Sequence, residues 1–479
     1  MSTFNCGEVY IVLQNQLFNS MLNALQQREN ILLTGMSATA GSYVISELAR
    51  QTGTTTLCMV PDEEKAYDLL RDLKAFIDEQ RLFLFLGREL IFLKENFSRV
   101  EEQRILTLRE CIAHPRKQKI IIATPGAFMF PIMSPQQMEQ LTIHLKVNEE
   151  QSLRNLLENL VAAGYKRSDT VSRTGEFALR GGILDVFPVG DLEPCRIDFF
   201  GDYIDSMRRF NLDSQRSIKA ENSLIITCAD ETLGDENGDT LLEYLPTDSW
   251  IFFDEPRDFY RNFDRNCKRY QTAIKEARRE EQTVREIPLV QRERLMQAIQ
   301  EKVTTWHSFF PGNIPQVRVA LMEHISVQDM EPFFGQLEPL FIRLREWIGK
   351  GYQVQLAVSS RTAREQLQQE LIEQHISGPE IVNYRLDKGF ISPTLELALV
   401  TEKDIWGAAR GKTSQRKKAS GQERLLLEDL KLGDYVVHDS YGIGIFRGVT
   451  QVETDGVICP WKKLTICLNI LLLRNVNPD

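Results

Sequence analysis

Apolar and polar residues follow each other in blocks along the first 140 residues of the chain. Short apolar runs, typical of buried strands, begin at Ile31, Thr56 and Lys119. Between them, residues 63–80 and 99–114 space their apolar side chains by three and four positions, which is the spacing of a helix with one buried face. Strands and helices in alternation predict βαβ units and therefore a parallel sheet.

From residue 141 to about residue 228 the pattern changes to short alternating strands with glycine-rich turns. This pattern predicts an antiparallel α+β insert. An apolar run at residues 250–253 predicts that the parallel sheet resumes there. The charged stretch 257–292 predicts a helix whose alternating charges face solvent. Residues 318–407 contain two apolar runs around a helical stretch and predict a second, small α/β domain.

A run of basic residues without acidic neighbours begins the last part of the chain. Arg410, Lys412 and residues 416–418 lie among Gly, Ser and Thr, which is typical of a flexible linker. A solvated tether is favoured here over a nucleic-acid contact. From residue 432 to residue 448, the order of strand, glycine turn and strand predicts a hairpin of a small β-barrel.

Length and composition limit the classes of protein that fit. A chain of 479 residues predicts three or four domains, and 42% hydrophobic with 26% charged residues is typical of folded proteins. Because the net charge is −10, a nucleic-acid contact would need a local basic patch. Eight scattered cysteines without a CxxC pair favour a reducing cytoplasm. Residues 1–20 do not resemble a signal peptide, and no apolar run is long enough for a membrane span.

Residues 30–42 have the setting of a phosphate-binding loop, in which an apolar strand leads through a turn of small residues into a helix. Aligned with G-x-x-x-x-G-K-[ST], Gly35 and Ser42 match, but Ala40 stands at the second glycine and Gly41 at the lysine. Without the charge that holds the β- and γ-phosphates, ATP hydrolysis is not expected. A tight turn between strand and helix is favoured over a nucleotide site.

Asp254 and Glu255 follow the apolar run at 250–253, the place where an acidic pair can hold Mg²⁺ and orient water. Pro256 comes next, and acidic residues also cap the start of a helix. Capping is favoured because the altered loop would hold phosphates poorly. The two segments together predict a degenerate, inactive nucleotide site formed by Gly35, Gly41, Ser42, Asp254 and Glu255.

Other catalytic patterns are missing from the sequence. The six histidines show no i, i+4 pair and no adjacent cluster of cysteines or carboxylates, so no metal site is predicted. No serine lies in a G-x-S-x-G motif. We therefore expect no catalytic residue, no metal and no cofactor in this chain.

Residues 164–216 carry a long and specific resemblance. The stretches 174–188 (TGEFALRGGILDVFP) and 196–208 (RIDFFGDYIDSMR) closely resemble domain 2 of the bacterial transcription-repair coupling factors, and less closely that of the excinuclease protein UvrB. In the coupling factors this surface docks the excinuclease protein UvrA, and the resemblance implies that Arg180, Arg196, Phe199 and Asp202 carry the contact. Strand alternation places Phe199 and Phe200 on opposite faces, and which of the two is exposed is left open.

The resemblance extends over residues 25–456 and implies the fold class and the order of units. The fold class is α/β multidomain, with a degenerate helicase-like parallel-sheet domain interrupted by an α+β insert, a second small α/β domain and an incomplete small β-barrel. The predicted ranges are 1–140 and 229–317 for the helicase-like domain, 141–228 for the insert that binds excinuclease UvrA, 318–407 for the small α/β domain, 408–431 for the basic linker, and 432–479 for the incomplete polymerase-interacting domain.

Two features favour the coupling factors over excinuclease UvrB. UvrB hydrolyses ATP with an intact lysine, where this chain has Gly41. It also inserts an aromatic-rich hairpin between damaged strands, and the corresponding residues 85–104 contain no cluster of tyrosines.

After about Gly456 the sequence departs from the family pattern, and residues 458–473 replace the expected barrel strands. The family's C-terminal ATP-driven DNA translocase is also missing. We expect a truncated product, whose tail arises from an altered reading frame or is a buried end segment. The hairpin at residues 435–446 would then lack strands to close its sheet, and binding to RNA polymerase is expected to be weak or absent.

The leading hypothesis is a docking platform without enzymatic activity, which recruits excinuclease UvrA to stalled transcription. In the full-length family, ATP and DNA are bound by the motor. The alternative is an ATP-dependent enzyme of DNA-damage recognition that resembles excinuclease UvrB. The expected location is the cytoplasm, with no membrane partner.

Overall fold

The computed structural model describes residues 16–88, 99–232, 238–280, 286–309 and 317–407, together with the backbone of four strands between residues 435 and 474. The chain divides into two compact units, Met1–Ala409 and Arg410–Asp479. Among the described residues, no helix has the length and apolar character that crossing a membrane requires.

The helices vary in length from 5 to 24 residues. They are α1 Gln16–Gln26, α2 Ala38–Thr52, α3 Glu63–Phe76, α4 Arg99–Ala113, α5 Pro135–Gln140, α6 Leu153–Ala162, α7 Pro256–Arg279, α8 Arg292–Gln300, α9 Leu337–Gly349, α10 Arg361–Glu373 and α11 Glu402–Trp406. Short 3-10 helices occur at Glu79–Arg81, Pro125–Phe128 and Leu241–Tyr244.

In the part of the chain that the structure describes, the strands fall into five sheets. They are β1 Ile31–Thr34, β2 Thr56–Met59, β3 Leu82–Phe85, β4 Ile120–Ala123, β5 Ile143–Lys146, β6 Lys166–Arg167, β7 Glu176–Arg180, β8 Ile183–Val186, β9 Cys195–Phe200, β10 Tyr203–Phe210, β11 Ser217–Glu221, β12 Ser223–Ile226, β13 Trp250–Asp254, β14 Val303–Ser308, β15 Leu321–His324, β16 Gln328–Asp329, β17 Gln353–Ala357, β18 Glu380–Val382, β19 Phe390–Ser392, β20 Leu397–Thr401, β21 Tyr435–His438, β22 Gly442–Thr454, β23 Val457–Ile466 and β24 Asn469–Arg474.

The largest sheet has seven strands in the order β15-β1-β14-β13-β2-β4-β3, and every pair in it is parallel. This confirms the parallel sheet predicted from the apolar runs. Strands β1, β2 and β4 are buried along their whole length because helices cover both faces, which explains why they are continuous apolar runs. Alternate residues of β4 enter opposite cores: Ile121 joins one cluster and Ile122 the other.

Strand β15 was not predicted, and it changes one boundary. It pairs with β1 in the seven-stranded sheet. The residues just after 318 therefore belong to the first sheet, not to the small α/β domain that was predicted to begin there. That domain's own sheet has five strands in the order β16-β19-β20-β17-β18 and mixes parallel with antiparallel pairs.

Residues between β4 and β13 form two separate sheets. Six strands follow the order β11-β10-β9-β8-β7-β6, in which only β6 and β7 are parallel. A second pair, β5 and β12, is antiparallel. The insert is thus mainly antiparallel, as its alternating pattern predicts.

In the second unit, strands β21 to β24 form an antiparallel sheet in sequence order. The prediction that the hairpin at 435–446 lacks further strands is wrong for this structure. Strand β22 extends to Thr454, where it pairs with Val457 of β23. The pattern that predicted the first hairpin therefore continues through residues outside the expected family pattern.

A buried ion pair ties the end of the insert to the parallel sheet. The Arg104 guanidinium of α4 donates to Glu231 at 2.5 Å and to the carbonyl of Leu86 at 2.5 Å, and the two charged side chains are only 1% and 2% exposed. The guanidinium also stacks 4.0 Å above the ring of Phe85. Arg88 adds a second cation 3.9 Å from the Glu231 carboxylate. The chain that leaves the insert is therefore fixed to the carboxyl end of β3.

We expect Arg104→Leu to lower the free energy of unfolding by about 3–5 kcal/mol, because it leaves the Glu231 charge buried without its main partner. Urea unfolding followed by tryptophan fluorescence measures this, since Trp250 and Trp306 lie within the parallel sheet. The control is Arg154→Leu, which removes an exposed pair with Glu158 and should cost about 0.5 kcal/mol or less. Equal losses in the two variants would contradict the role of the buried pair.

Candidate functional site

The turn after β1 keeps the backbone of a phosphate-binding loop but is covered by a histidine. Gly35 has φ +84°, a conformation that favours glycine, and it leads to Ser37, the residue before α2. A Cβ on Gly35 would lie 2.4 Å from Cε1 of His324, at the end of β15. The Nδ1 of His324 is 3.0 Å from the Oγ1 of Thr34. The space above Gly35 is therefore filled by the protein's own imidazole.

The two motif positions in α2 have different surroundings. Gly41 lies in the first turn and donates its N–H to the carbonyl of Ser37 at 2.8 Å, and no atom lies within 4 Å of where its Cβ would stand. A lysine side chain would have room there, but none is present. The hydroxyl of Ser42 is buried and hydrogen-bonds to Asp72, whose carboxyl pKa is raised to about 6, chiefly by burial. Ser42 is thus engaged inside the protein.

The acidic pair is fixed by the end of β14. The Nδ1 of His307 is 2.6 Å from the Oδ1 of Asp254. Glu255 has φ +43° and accepts hydrogen bonds from the Ser308 hydroxyl at 3.0 Å and the Phe309 N–H at 2.6 Å. Glu255 precedes α7 but makes no side-chain cap. The capping role predicted for the pair is therefore replaced by contacts that join β13 to β14.

Four of the five residues predicted for the nucleotide site meet at one cavity of about 320 Å³: Gly41, Ser42, Asp254 and Glu255 line it, and Gly35 does not. Its wall also includes Phe252 and His307. Among the described residues, no group of three or more His, Cys, Asp or Glu is placed to hold a metal ion. The lining also includes Lys65 of α3, so the cavity contains a lysine although the loop after β1 supplies none.

Sequence reasoning missed both histidines at this site. The sequence predicts no metal site for the six histidines, because no two of them have ligand spacing along the chain. The sheet register supplies the proximity instead, since Leu33 pairs with His307 and Thr34 with His324. Only the order of the strands in the sheet could have shown this.

The insert presents a second candidate site on one face of its six-stranded sheet. Directly paired residues of antiparallel strands lie on the same face. Arg180 pairs with Ile183, Ile183 with Asp198, and Asp185 with Arg196. Alternation along β9 adds Phe200 to the same face. We call Arg180, Ile183, Arg196, Phe200 and Tyr203 the docking face, after the role that the sequence resemblance predicts for this surface.

Arg180 and Arg196 have different environments on the docking face. Arg180 is exposed and donates to the carbonyl of Asp169 at 3.1 Å and the hydroxyl of Thr170 at 2.7 Å. Arg196 forms two hydrogen bonds with the buried Asp185, at 2.7 and 2.8 Å, and lies 4.4 Å above the ring of Phe210. The bond to Asp185 raises the pKa of the Arg196 guanidinium. Arg196 therefore supports the sheet as well as facing solvent.

The aromatic residue of the docking face is Phe200, not Phe199. Phe199 packs against the main hydrophobic core, whereas Phe200 is 82% exposed. The N–H of Phe199 donates to the carbonyl of Gly182 at 2.8 Å, which holds the turn after Arg180 against β9. Asp202 is exposed in the turn between β9 and β10, and its carbonyl accepts from the N–H of Gln151. Of the two phenylalanines that the sequence leaves open, Phe200 is thus the exposed one.

Two exposed apolar residues of the docking face, Ile183 and Tyr203, were missed by sequence reasoning. Tyr203 pairs with Phe200 across the hairpin, and Ile183 lies at the turn next to β9. If Ile197 is taken as buried, alternation along β9 places Phe199 on the buried face and Phe200 on the exposed one. The residues beside Phe200 on other strands depend on the register of the sheet.

Comparisons with known proteins agree with this picture. Residues 143–231 match the family described as the UvrB interaction domain, and residues 430–462 match the CarD-like/TRCF RID domain. A transcription-repair-coupling factor of Staphylococcus aureus strain USA300 is 27% identical over 92% of this chain and 44% of its own length. The factor of Bacillus subtilis strain 168 is 23% identical over the same shares.

The chain spans 44% of the length of these curated relatives. Its matched interaction domain coincides with the insert that carries the docking face. The match to each of these relatives covers 92% of this chain. Together they confirm the resemblance noted in the sequence: this chain is similar to the N-terminal part of a transcription-repair-coupling factor.

Proposed function

We propose that this chain is a docking platform that couples transcription to repair by binding excinuclease UvrA through its insert. The matches to coupling factors support a role in transcription-repair coupling. The observation that carries the finer proposal is the docking face, where the exposed Phe200, Tyr203 and Ile183 lie beside Arg180. Aromatic residues and arginines are the usual anchors of protein interfaces, because they bury a large area or pair with carboxylates.

A second contact, with RNA polymerase, would use the region of residues 430–462. This proposal is supported by the match to the RID domain. The two contacts lie in different compact units of the chain. In this proposal the chain joins its two partners without performing chemistry on either of them.

The absence of enzymatic activity is part of the proposal. It is supported by three features of the nucleotide loop: Gly41 in place of lysine, His324 over Gly35, and the Ser42 hydroxyl bonded to Asp72. The alternative function, an ATP-dependent damage-recognition enzyme like excinuclease UvrB, would need phosphates to occupy this loop. Lys65 of the cavity lining could contact such a phosphate, but it does not stand at the lysine position of the motif.

We expect Phe200→Ala and Arg180→Ala each to weaken binding of excinuclease UvrA by about 2 kcal/mol or more, as for interface hot spots. Isothermal titration with purified UvrA measures the change. Because both side chains are exposed, each substitution should change the free energy of unfolding by no more than about 0.5 kcal/mol, as measured by thermal unfolding.

The matched control for Phe200→Ala is Leu192→Ala. Leu192 is 97% exposed in the loop before β9, at the opposite end of that strand from Phe200. Its removal should leave the affinity unchanged. If Phe200→Ala and Leu192→Ala bind UvrA with equal affinity, the docking face is not the interface.

Arg196→Ala should differ from Arg180→Ala in stability. It leaves the Asp185 carboxylate buried without its two hydrogen bonds, which costs about 1–3 kcal/mol. Urea unfolding should therefore separate the two arginine variants, whichever of them binds UvrA more weakly. Equal stability of the two variants would show that the Asp185 bonds contribute little.

We expect no ATP hydrolysis by the chain and no tight binding of a fluorescent ATP analogue. Gly41→Lys has space for its side chain but should not restore binding by itself, because His324 still fills the loop. Hydrolysis above background that is lost in Asp254→Asn would contradict the proposal and favour the alternative enzyme.

A further inference from the structure

Helix α7 concentrates positive charge in an acidic protein. Its 24 residues contain eight Lys and Arg against three Asp and Glu, whereas the whole chain has a net charge of −10. The sequence suggested a solvated face of alternating charges. In the structure one flank of the helix packs into the core through residues such as Phe259, Phe263 and Tyr270, so the basic residues gather on the other flank.

Arg261, Arg265, Lys268 and Arg269 are exposed on that flank. Arg265 lies four residues after Arg261, and Lys268 and Arg269 lie three and four residues after Arg265. Arg261 is paired with Asp258 at 3.0 Å. The other three cations have no ion pair with any residue in the described part of the chain. An unpaired row of three cations is available to an external anion.

This row borders a groove at the carboxyl edge of the parallel sheet. Arg265 and Arg269 line a cavity of about 460 Å³ and also an adjoining, more open one of about 790 Å³ that includes Lys268. The opposite wall consists of the turns that follow three parallel strands: residues 61–63 after β2, 87–88 after β3 and 124–126 after β4. Ligands of parallel sheets bind at this edge.

The floor of the groove is backbone. A Cβ on Gly87 would lie 2.8 Å from the Cα of Gly126, and one on Gly126 would lie 2.9 Å from the Cα of Gly87. The two glycines therefore let the turns after β3 and β4 touch, and no side chain rises between them. The backbone of an extended ligand can therefore approach this floor closely.

Four acidic residues line the two cavities: Asp62 and Glu63 on the wall opposite α7, and Asp264 and Glu276 on α7. The Asp62 carboxylate accepts from the N–H of Lys65 at the start of α3, and Asp264 is paired with Arg292 at 2.6 Å. Glu63 and Glu276 are the other acids of the lining. Arg88 is balanced by Glu101 and Asp230. On α7 itself, the three cations without an ion pair stand against one such acid of the lining, Glu276, in the part of the chain that the structure describes.

We propose that this groove, lined by Arg265, Lys268 and Arg269, binds the phosphodiester backbone of duplex DNA without reading its sequence. Spaced cations at an open groove match a row of phosphates, and binding then releases counterions. No aromatic side chain lines either cavity among the described residues, so the stacking that holds single-stranded bases is missing. The site is separate from the docking face and does not rest on the proposed function.

The test compares the full chain with the triple variant Arg265→Gln, Lys268→Gln, Arg269→Gln by fluorescence anisotropy on a labelled duplex of about 20 base pairs. The wild-type affinity should fall with salt between about 50 and about 200 mM. The variant should bind about tenfold or more weakly at the lower salt, and the slope of log K against log salt should shrink by about one for each lost contact.

The matched control is Arg343→Gln, Arg345→Gln, Lys350→Gln, which removes the same charge from exposed positions on and just after α9. It should keep the wild-type affinity and slope, so a loss confined to the α7 variant excludes a general charge effect. The double variant Arg265→Lys, Arg269→Lys retains the charges and should keep most of the affinity.

Equal duplex affinity of the wild type and the α7 variant would overturn the proposal. Tighter binding of a single strand than of the duplex, with the same dependence on the α7 row, would also overturn it, because the lining offers nothing for bases to stack on. The wild type and the variants should unfold at the same temperature, which excludes misfolding as the cause of a loss of binding.

Discussion

Strand β1 has no neighbour from its own part of the chain. Both of its edges are covered by β14 and β15, which come about 270 to 290 residues later, and β2 is paired on one side by β13. The parallel sheet is therefore complete only when the chain returns after the insert. The site at the turn after β1 and the groove along α7 depend on this return, since it brings His324 to Gly35, His307 to Asp254, and α7 to the turns after β2, β3 and β4.

Local features of this fold could be predicted from the sequence because their cause is local. The runs at Ile31, Thr56 and Lys119 are buried on both faces, so their apolar character is continuous and easily recognised. Partners distant in sequence could not be predicted. Nothing near residue 324 indicates that its imidazole lies over the loop after β1, and β15 itself is half exposed and lacks the apolar signal of its neighbours.

The contrast between local patterns and distant partners also applies to charged and surface residues. The stretch after Pro256 has mixed charges in sequence, and only the helical arrangement, with one flank buried, separates Arg265, Lys268 and Arg269 from the acids. On β9, alternation alone does not show whether Phe199 or Phe200 is exposed. The burial of Ile197 and the packing of Phe199 decide between them, because a strand that covers a core on one side must expose the alternate residues on the other.

The turn after β1 and the acidic pair after β13 are held by contacts within the chain: His324 with Thr34, Ser42 with Asp72, and Asp254 with His307. The first contact joins β15 to β1 and the last joins β14 to β13, so both link neighbouring strands of the parallel sheet. The insert is fixed to this framework by the Arg104–Glu231 pair, which gives the docking face a defined attachment to the sheet.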